Sequence, residues 1–237
     1  MPANSNDNPI SSTIRDRLEQ NNVRYFASDN IFEYVDGYEA DLIDELTCKF
    51  EGVLDTLLID RVRDHNSADT PRRLAKMYIN ELMAGRYTPA PRVAAFPNVD
   101  DGENTKYGGM LVARAEIRSM CSHHHQPVKG VCIIGILPSE KVIGLSKYTR
   151  IAQWCARRGT LQEELCQTIM QEIKKATNSR DVGVYIEAEH GCMTNRGAMA
   201  HSSLTQTTSL SGQFFNDSIK KEFFDNIMLQ KSHSGMH

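Results

Sequence analysis

The sequence predicts an α+β fold, with helices first and then strands interrupted by two helices. Apolar residues recur at helical spacing through 40–60. From about residue 110 the pattern changes to the alternation and short apolar runs of strands. Two helical segments interrupt these strands before further strands follow. This order of elements is typical of the α+β class.

The first part of the chain is predicted to be helical. Residues 1–12 are polar and lack periodicity, so we expect them to form a flexible arm. The apolar face over 40–60 predicts a strong helix. A second helix is predicted to begin near Thr70, capped by Thr70 with Pro71 in its first turn, and to end at Gly85.

The second part is predicted to contain the sheet. Residues 86–108 carry Pro, Gly and Asn and indicate a loop. Strands are predicted near 110–117, 131–137, 181–189 and 203–210, and helices over 146–158, 160–175 and 217–229. Thr160 and Glu163 have the spacing of a capping box at the start of the second inserted helix. Residues 231–237 are expected to form a flexible tail.

Composition argues against several classes of protein. The 237 residues carry a net charge of −3, without the basic excess of a nucleic-acid binder, so no nucleic-acid partner is expected. No apolar run approaches the roughly 20 residues that cross a bilayer, and the N-terminal segment does not resemble a signal peptide. We therefore expect no membrane association and a cytoplasmic protein. The 6 cysteines are then not expected to form a disulfide framework.

The densest group of potential metal ligands is the segment CSHHH at 121–125, and another thiol follows at Cys192. Cys and His are preferred zinc ligands, and a Cys-x-x-His pair with one remote Cys supplies three of them. A structural zinc site normally has a fourth, whereas an open position suits the activation of water. The spacing equally allows a run of surface histidines beside buried thiols.

Four cationic residues are candidates for holding a phosphate chain, namely Lys147, Arg150, Arg196 and Arg73. The sequence has no Walker-type glycine-rich loop. A phosphate chain would therefore be held by such side chains and by the N-terminus of the helix near Ser146. For any single one of these cations, a solvated helix face is the simpler interpretation.

Glu163 has two interpretations. The capping box by itself explains a glutamate at this spacing. The same carboxylate could instead accept two N–H donors from the edge of a purine base. Spacing does not separate these roles.

Taken together and in order, these segments resemble the GTP cyclohydrolase I family. The matching motifs are TPRRLAKM at 70–77, CSHH at 121–124, VIGLSKYTRI at 142–151, ARRGTLQEEL at 156–165, EAEHGCMTNRG at 187–197 and TSLSGQF at 208–214. The resemblance covers about 70–228. It implies a tunnelling fold (T-fold), with two helices packed on an antiparallel sheet and a helical extension before it. It also implies a homo-oligomer, a decamer of two stacked pentamers with active sites between subunits.

The resemblance further implies a reaction on GTP, or on a related purine nucleotide. Water attacks C8 of guanine, formate leaves, the ribose rearranges and the ring closes to 7,8-dihydroneopterin triphosphate. The implied zinc ligands are Cys121, His124 and Cys192. His123 would protonate the departing ring nitrogen, and His190 would move protons on the ribose with the assistance of Ser146.

The implied substrate contacts divide between the triphosphate and the base. The residues for the triphosphate are Lys147, Arg150, Arg196 and, from a neighbouring subunit, Arg73. Gln162 and Glu163 would contact the guanine edge. Regular strand alternation would put Cys121 and His124 on opposite faces, so the zinc assignment requires a bend between them.

The sequence departs from the family pattern around the metal motif. Ser122 stands where the family has an acidic residue, His125 where an apolar residue is usual, and Gly191 where a bulky one is usual. We hypothesise that these changes reshape the pocket. Losing the carboxylate at Ser122 could alter the support of the metal ligands and proton transfer. His125 adds a titratable group or a fourth ligand, and Gly191 leaves room for a bulkier substrate or makes the loop more flexible. The alternatives to GTP cyclohydrolase I are therefore a T-fold hydrolase on another purine nucleotide, an enzyme that stops at the ring-opened intermediate, or a non-catalytic nucleotide- or pterin-binding ring.

The predicted domain organisation has four parts. These are the arm at 1–12, a helical extension at 13–65, a T-fold catalytic domain at 66–230 and the tail at 231–237. The boundary near 65 marks the point before which the chain does not clearly match the family motifs.

Overall fold

Residues 8–102 and 105–234 are described by a computed structural model of the chain. Helices and an antiparallel sheet are both present, which confirms the predicted α+β class. The chain divides into two units, one ending at Pro89 and one beginning at Ala90. The predicted division into an extension at 13–65 and a catalytic domain at 66–230 stays a prediction, because packing alone does not say which residues catalyse.

The first unit is helical in its described residues. Its elements are α1 (Ile10–Gln20), α2 (Phe32–Val35), α3 (Glu39–Thr56), α4 (Thr70–Met77), a π-helical turn (Tyr78–Leu82) and α5 (Ala84–Tyr87). The apolar face of α3 packs against α4, with Ile43 and Ala75 buried at the contact. A second cluster contains Ile14 and Leu18 of α1 and Val35 of α2. The helix expected over 40–60 is therefore confirmed, although it ends several residues earlier.

The arm expected over 1–12 is wrong from Ile10 onward, because α1 begins there. Helix α1 forms because Ile14 and Leu18, about one helical turn apart, both pack into the same apolar cluster. Residues 1–7 lie outside the described part of the chain.

The limits of the second predicted helix also differ. Asp69 occupies the N-cap position of α4 and makes no side-chain capping bond, so Thr70 is not the cap. Thr70 is already helical, which puts its hydroxyl one position too late to cap the free N–H groups. Gly85 lies inside α5 and does not end a helix.

The second unit contains both sheets. Its elements are β1 (Ala95–Pro97), β2 (Leu111–Met120), β3 (Pro127–Ile136), β4 (Lys141–Ile143), α6 (Leu145–Ala156), α7 (Gln162–Thr177), β5 (Val182–His190), α8 (Gly191–Thr194), β6 (Thr205–Leu210), a 3₁₀ turn (Gly212–Phe215) and α9 (Asp217–Ser234). Strands β2, β3, β5 and β6 form an antiparallel sheet in that order. The short β1 pairs with β4, so the segment predicted as a loop contains three residues of strand.

The two faces of the four-stranded sheet belong to different hydrophobic cores. Helices α6 and α7 cover one face, where Ile134 of β3 and Val184 of β5 are buried. Ile133 and Tyr185, which alternate with them, face a second core that contains Phe223 of α9. Two helices thus pack on one face of an antiparallel sheet, as in the expected T-fold.

Two paired glycines let aromatic rings approach the sheet. Gly135 and Gly183 lie opposite each other on β3 and β5. A Cβ atom at Gly183 would lie 2.6 Å from the ring of Phe214, and one at Gly135 would lie 2.6 Å from the ring of Phe223. These rings meet edge to face with centroids 5.2 Å apart, so they occupy the space that the missing side chains leave.

The C-terminal helix α9 is tied to the sheet by a polar cluster. The Glu187 carboxylate accepts hydrogen bonds from Tyr185, Gln206 and Lys231. Lys231 lies within α9, which continues to Ser234, so the tail predicted over 231–237 is wrong through Ser234. The last three residues lie outside the described part. Within the described residues, no helix combines the length and apolarity needed to cross a bilayer.

Candidate metal and nucleotide site

The first part of the site is the tight turn between β2 and β3. It spans Cys121 to Gln126 and is closed by the amide of Cys121 donating to the carbonyl of Gln126 at 2.9 Å. The amide of His125 donates back to the carbonyl of Cys121 at 2.9 Å, and His125 has a positive φ of 51°. Strand alternation therefore stops at Cys121. The bend that the assignment of Cys121 and His124 to one metal requires is present.

The third candidate ligand reaches this turn through the sheet register. Val128, just after the turn, pairs with His190, the last residue of β5. The chain then enters α8, which carries Cys192 next to the turn. One possible ligand atom from each of Cys121, His124 and Cys192 lies within 4.8 Å of the others.

The chemistry of this trio fits zinc. Thiolate and imidazole are preferred zinc ligands, and ligand atoms within 4.8 Å of one another are close enough to share one ion. Burial and the neighbouring Cys121 thiol raise the pKa of the Cys192 thiol. Two adjacent thiolates repel one another, and a divalent cation between them reverses that effect. His125 is not part of the trio, which removes the support for a fourth ligand at that position.

Next to the trio, His190 is held by a buried glutamine. His190 Nε2 lies 2.6 Å from Gln162 Oε1. Gln162 is only 4% exposed, and its amide nitrogen donates to the Thr205 carbonyl and to the Thr207 hydroxyl. Burial lowers the pKa of His190, and the nearby Glu163 carboxylate opposes that shift. The structure thus brings His190, Gln162 and Glu163 together.

The capping box expected at the start of α7 is wrong. The helix begins at Gln162 with Leu161 at the N-cap position, and no side chain caps it. Thr160 instead donates its hydroxyl to Glu164 at 2.7 Å. Glu163 is exposed in the first turn and has no part in this contact. The structural explanation for Glu163 is therefore lost, which favours a role toward a ligand.

Comparison with known proteins gives the same assignment as the motifs. The profile of the family described as GTP cyclohydrolase I matches residues 47–228. The chain belongs to the GTP cyclohydrolase I family. The matched region begins within α3 and contains every candidate site residue, while α1 and α2 precede it.

Curated members of the GTP cyclohydrolase I family cover most of the chain. It is 37% identical to GTP cyclohydrolase 1 of Flavobacterium johnsoniae over 190 residues, which are 79% of this chain and 82% of that protein. It is 38% identical to GTP cyclohydrolase 1 of Aeromonas salmonicida over 172 residues, 70% of this chain and 76% of the relative. The protein of the same name from Shewanella amazonensis is 34% identical over 185 residues, 76% and 82% of the two chains.

Three of the four predicted triphosphate contacts, Lys147, Arg150 and Arg196, lie in α6 or just after α8 of the second unit. Ser146 and Arg150 are exposed in the first turns of α6, and Lys147 is half-buried between them. Within the described residues no ion pair involves either Lys147 or Arg150. Arg196 is exposed just after α8, in the segment that carries Cys192. These cations are therefore available to an anion.

Two further predicted site residues, Arg73 and His123, belong to neither α6 nor α8. Arg73 belongs to the first unit, where it pairs with Asp69 at 3.6 Å, and its role at the site stays a prediction. His123 is exposed in the turn between Cys121 and Gln126, with its ring centroid 6.2 Å from that of His124. The structure thus keeps His123 next to a candidate ligand.

Gly191 is packed closely and does not open onto space. A Cβ atom there would lie 3.0 Å from Pro127 Cδ, 3.1 Å from the Pro127 carbonyl oxygen and 3.2 Å from Asn195 Nδ2. The expectation that Gly191 leaves room for a bulkier substrate is therefore wrong, because Pro127 of β3 and Asn195, just after α8, fill that space. The sequence analysis missed Thr205 and Thr207, since no motif links these distant positions to the site. It also missed Pro127, because its contact with Gly191 depends on the register of β3 with β5.

Proposed function

We propose that this protein is a zinc-dependent GTP cyclohydrolase I. It would hydrolyse GTP at C8 of guanine, release formate, rearrange the ribose and close the ring to 7,8-dihydroneopterin triphosphate. The observation that carries the proposal is the convergence of two thiols and an imidazole in a chain of this family. The nearby pair of His190 and Gln162 supports it, because the reaction needs acid–base groups beside the metal.

Cys121, His124 and Cys192 would hold the metal. Bound zinc supplies Lewis acidity that makes water nucleophilic near neutral pH. His123, on the same turn, would donate a proton to the guanine nitrogen that departs when the imidazole ring opens.

His190 would move protons during the later rearrangement of the ribose. Burial favours its neutral form, which is the form that can accept a proton. Ser146, exposed at the start of α6, would assist through its hydroxyl. The division of labour assigns ring opening to His123 and rearrangement to His190.

Substrate would be held at its two ends. Lys147, Arg150 and Arg196 would bind the triphosphate, with Arg73 contributed by a neighbouring subunit. The Glu163 carboxylate would accept N–H groups from the guanine edge, since no cap bond occupies it.

A ring of subunits is proposed for the working enzyme. In the described residues, β2 and β6 are the outer strands of their sheet. Exposed strand edges are rarely left unpaired, so pairing between copies would continue the sheet. We propose a homodecamer of two pentamers, which sedimentation velocity measures directly.

The proposal is tested with purified protein, its zinc content and GTP. Formate and the fluorescence of the oxidised pterin are followed in one reaction, for the wild type and for Cys121→Ala. We expect about one zinc per chain and both products from the wild type, and loss of metal and of both products in the variant. Cys48→Ala is the matched control, because Cys48 is an exposed thiol of α3 outside the site.

Each other result contradicts a stated part of the proposal. Formate without pterin would restrict the activity to ring opening. Neither product, with zinc bound, would refute GTP as the substrate and direct the work to other purine nucleotides. Activity that survives Cys121→Ala at full rate would refute the zinc ligand assignment.

A further inference from the structure

The side-chain amide of Gln162 is hydrogen-bonded to the protein through both its nitrogen and its oxygen, so it is poorly placed to contact a substrate. Its amide nitrogen lies 3.0 Å from the Thr205 carbonyl oxygen, 3.2 Å from Thr207 Oγ1 and 3.4 Å from the Ile186 carbonyl oxygen. Its amide oxygen lies 2.6 Å from His190 Nε2. An amide has two N–H donors, and both are used by these neighbours.

These partners fix which way the amide points. The carbonyl oxygens of Ile186 and Thr205 can only accept hydrogen bonds, so the nitrogen of Gln162 has to face them. The oxygen of Gln162 then has to face His190. Because this oxygen only accepts, His190 Nε2 must carry a hydrogen and donate it.

The anchor is part of the sheet. Thr205 and Thr207 lie on β6, where they pair with Ala188 and Ile186 of β5, the strand that ends at His190. The amide nitrogen of Gln162 is thus held by the two strands that set the position of His190, while the amide oxygen contacts the imidazole. An amide group already fixed through its nitrogen loses little further freedom when its oxygen orients the ring.

We propose that Gln162 is a positioning residue that holds His190 through Nε2–H, leaving Nδ1 as the atom that accepts the proton from the ribose. This inference rests on the proposed function. It replaces the predicted contact of Gln162 with the guanine edge and leaves that edge to Glu163. The arrangement follows the general pattern in which a third group orients a catalytic base.

The test is a double-mutant cycle with two products as readouts. Gln162→Met keeps the length of the side chain but removes the acceptor. We expect its ratio of pterin to formate to fall at least about tenfold, since a well-placed general base contributes on the order of 100-fold or more. In a His190→Ala background, Gln162→Met should change the ratio no further, because its effect passes through His190.

Thr207→Val is the second variant, and it is chosen in case Gln162→Met folds poorly. It removes one anchor of the amide and leaves Gln162 Oε1 facing His190. We expect the ratio of pterin to formate to fall, by less than in Gln162→Met. Zinc content and melting temperature of both variants report whether the fold is retained.

Three results would overturn the inference. The first is an unchanged product ratio in Gln162→Met, or in Thr207→Val if only that variant folds. The second is an effect of Gln162→Met that persists in full without His190. The third is an equal fall of both products in Gln162→Met, together with a raised KM for GTP and a weaker preference for GTP over inosine triphosphate. That result would identify Gln162 as a residue that contacts the base. A wild type that makes neither product refutes the proposed function instead, which is a different observation.

Discussion

Substituting Gly191 by alanine should weaken zinc binding at the proposed site by pushing α8 away from the turn between Cys121 and Gln126. The added methyl carbon would lie 3.0 Å from Pro127 Cδ, whereas carbon atoms in good contact are about 3.5–4.0 Å apart. The two segments must therefore separate by about 0.5 Å. Metal–ligand distances tolerate only about 0.2 Å, and Cys192 is the residue that follows Gly191.

The size of the effect follows from the cost of overpacking. Inserting a methyl group into a well-packed site costs about 1–3 kcal/mol. Without a metal, α8 and the turn between Cys121 and Gln126 can move apart and relieve the strain. A metal held by both Cys192 and Cys121 would prevent this movement, so the strain would mainly destabilise the metal-bound state. A loss of that size corresponds to a dissociation constant for zinc that is raised roughly 5- to 150-fold. Competition with a chromophoric chelator measures this constant without relying on activity.

Two variants complete this experiment. Gly108→Ala is the control, because a Cβ atom there meets no heavy atom within 4 Å, and its zinc affinity should equal that of the wild type. Adding Pro127→Ala to Gly191→Ala removes the closest contact and should recover part of the lost affinity. Wild-type zinc affinity in Gly191→Ala would refute the reasoning that β3 and α8 are in tight contact beside the proposed metal ligands.

Three further predictions concern the base, the sheet and the C-terminal helix. Glu163→Gln should lower kcat/KM for GTP about tenfold or more. It should change kcat/KM little for inosine triphosphate, which lacks the 2-amino group. An equal loss of kcat/KM on both nucleotides would argue against contact with that group. Gly183→Ala should destabilise the protein by about 1–3 kcal/mol, because the added methyl group meets the rings of Phe214 and Phe223. In calorimetry its melting temperature should be several degrees below that of Gly108→Ala. Equal melting temperatures of the two variants would contradict this packing. Burial alone would raise the pKa of Glu187, but the hydrogen bonds from Lys231, Tyr185 and Gln206 lower that pKa overall. The stabilisation is therefore present above the ordinary carboxyl pKa and is lost as the pH falls through the lowered value, so the difference in stability between the wild type and Lys231→Met should shrink on acidification.

Periodicity predicted the elements that bury one continuous face. The helix over 40–60, the strands of the main sheet and the inserted helices were all predicted, because their apolar spacing records which side faces a core. Predictions based on single capping residues were less successful. Thr70 and the pair Thr160 and Glu163 fit the rules for caps, yet none of them caps a helix. Helix α4 begins at Thr70 as predicted, but Thr70 is its first helical residue, and α7 begins at Gln162 without a side-chain cap.

The sequence by itself determined the α+β class, the family and the candidate ligands, because residue type and order are carried by the chain. Only the tertiary structure decided what these residues do to each other. The turn after β2 and the register of β3 with β5 bring Cys192 to Cys121. The pairing of β5 with β6 places Thr205 where it orients Gln162 toward His190. Such relations depend on distances between segments far apart in the chain, and these distances exist only once the sheet has formed.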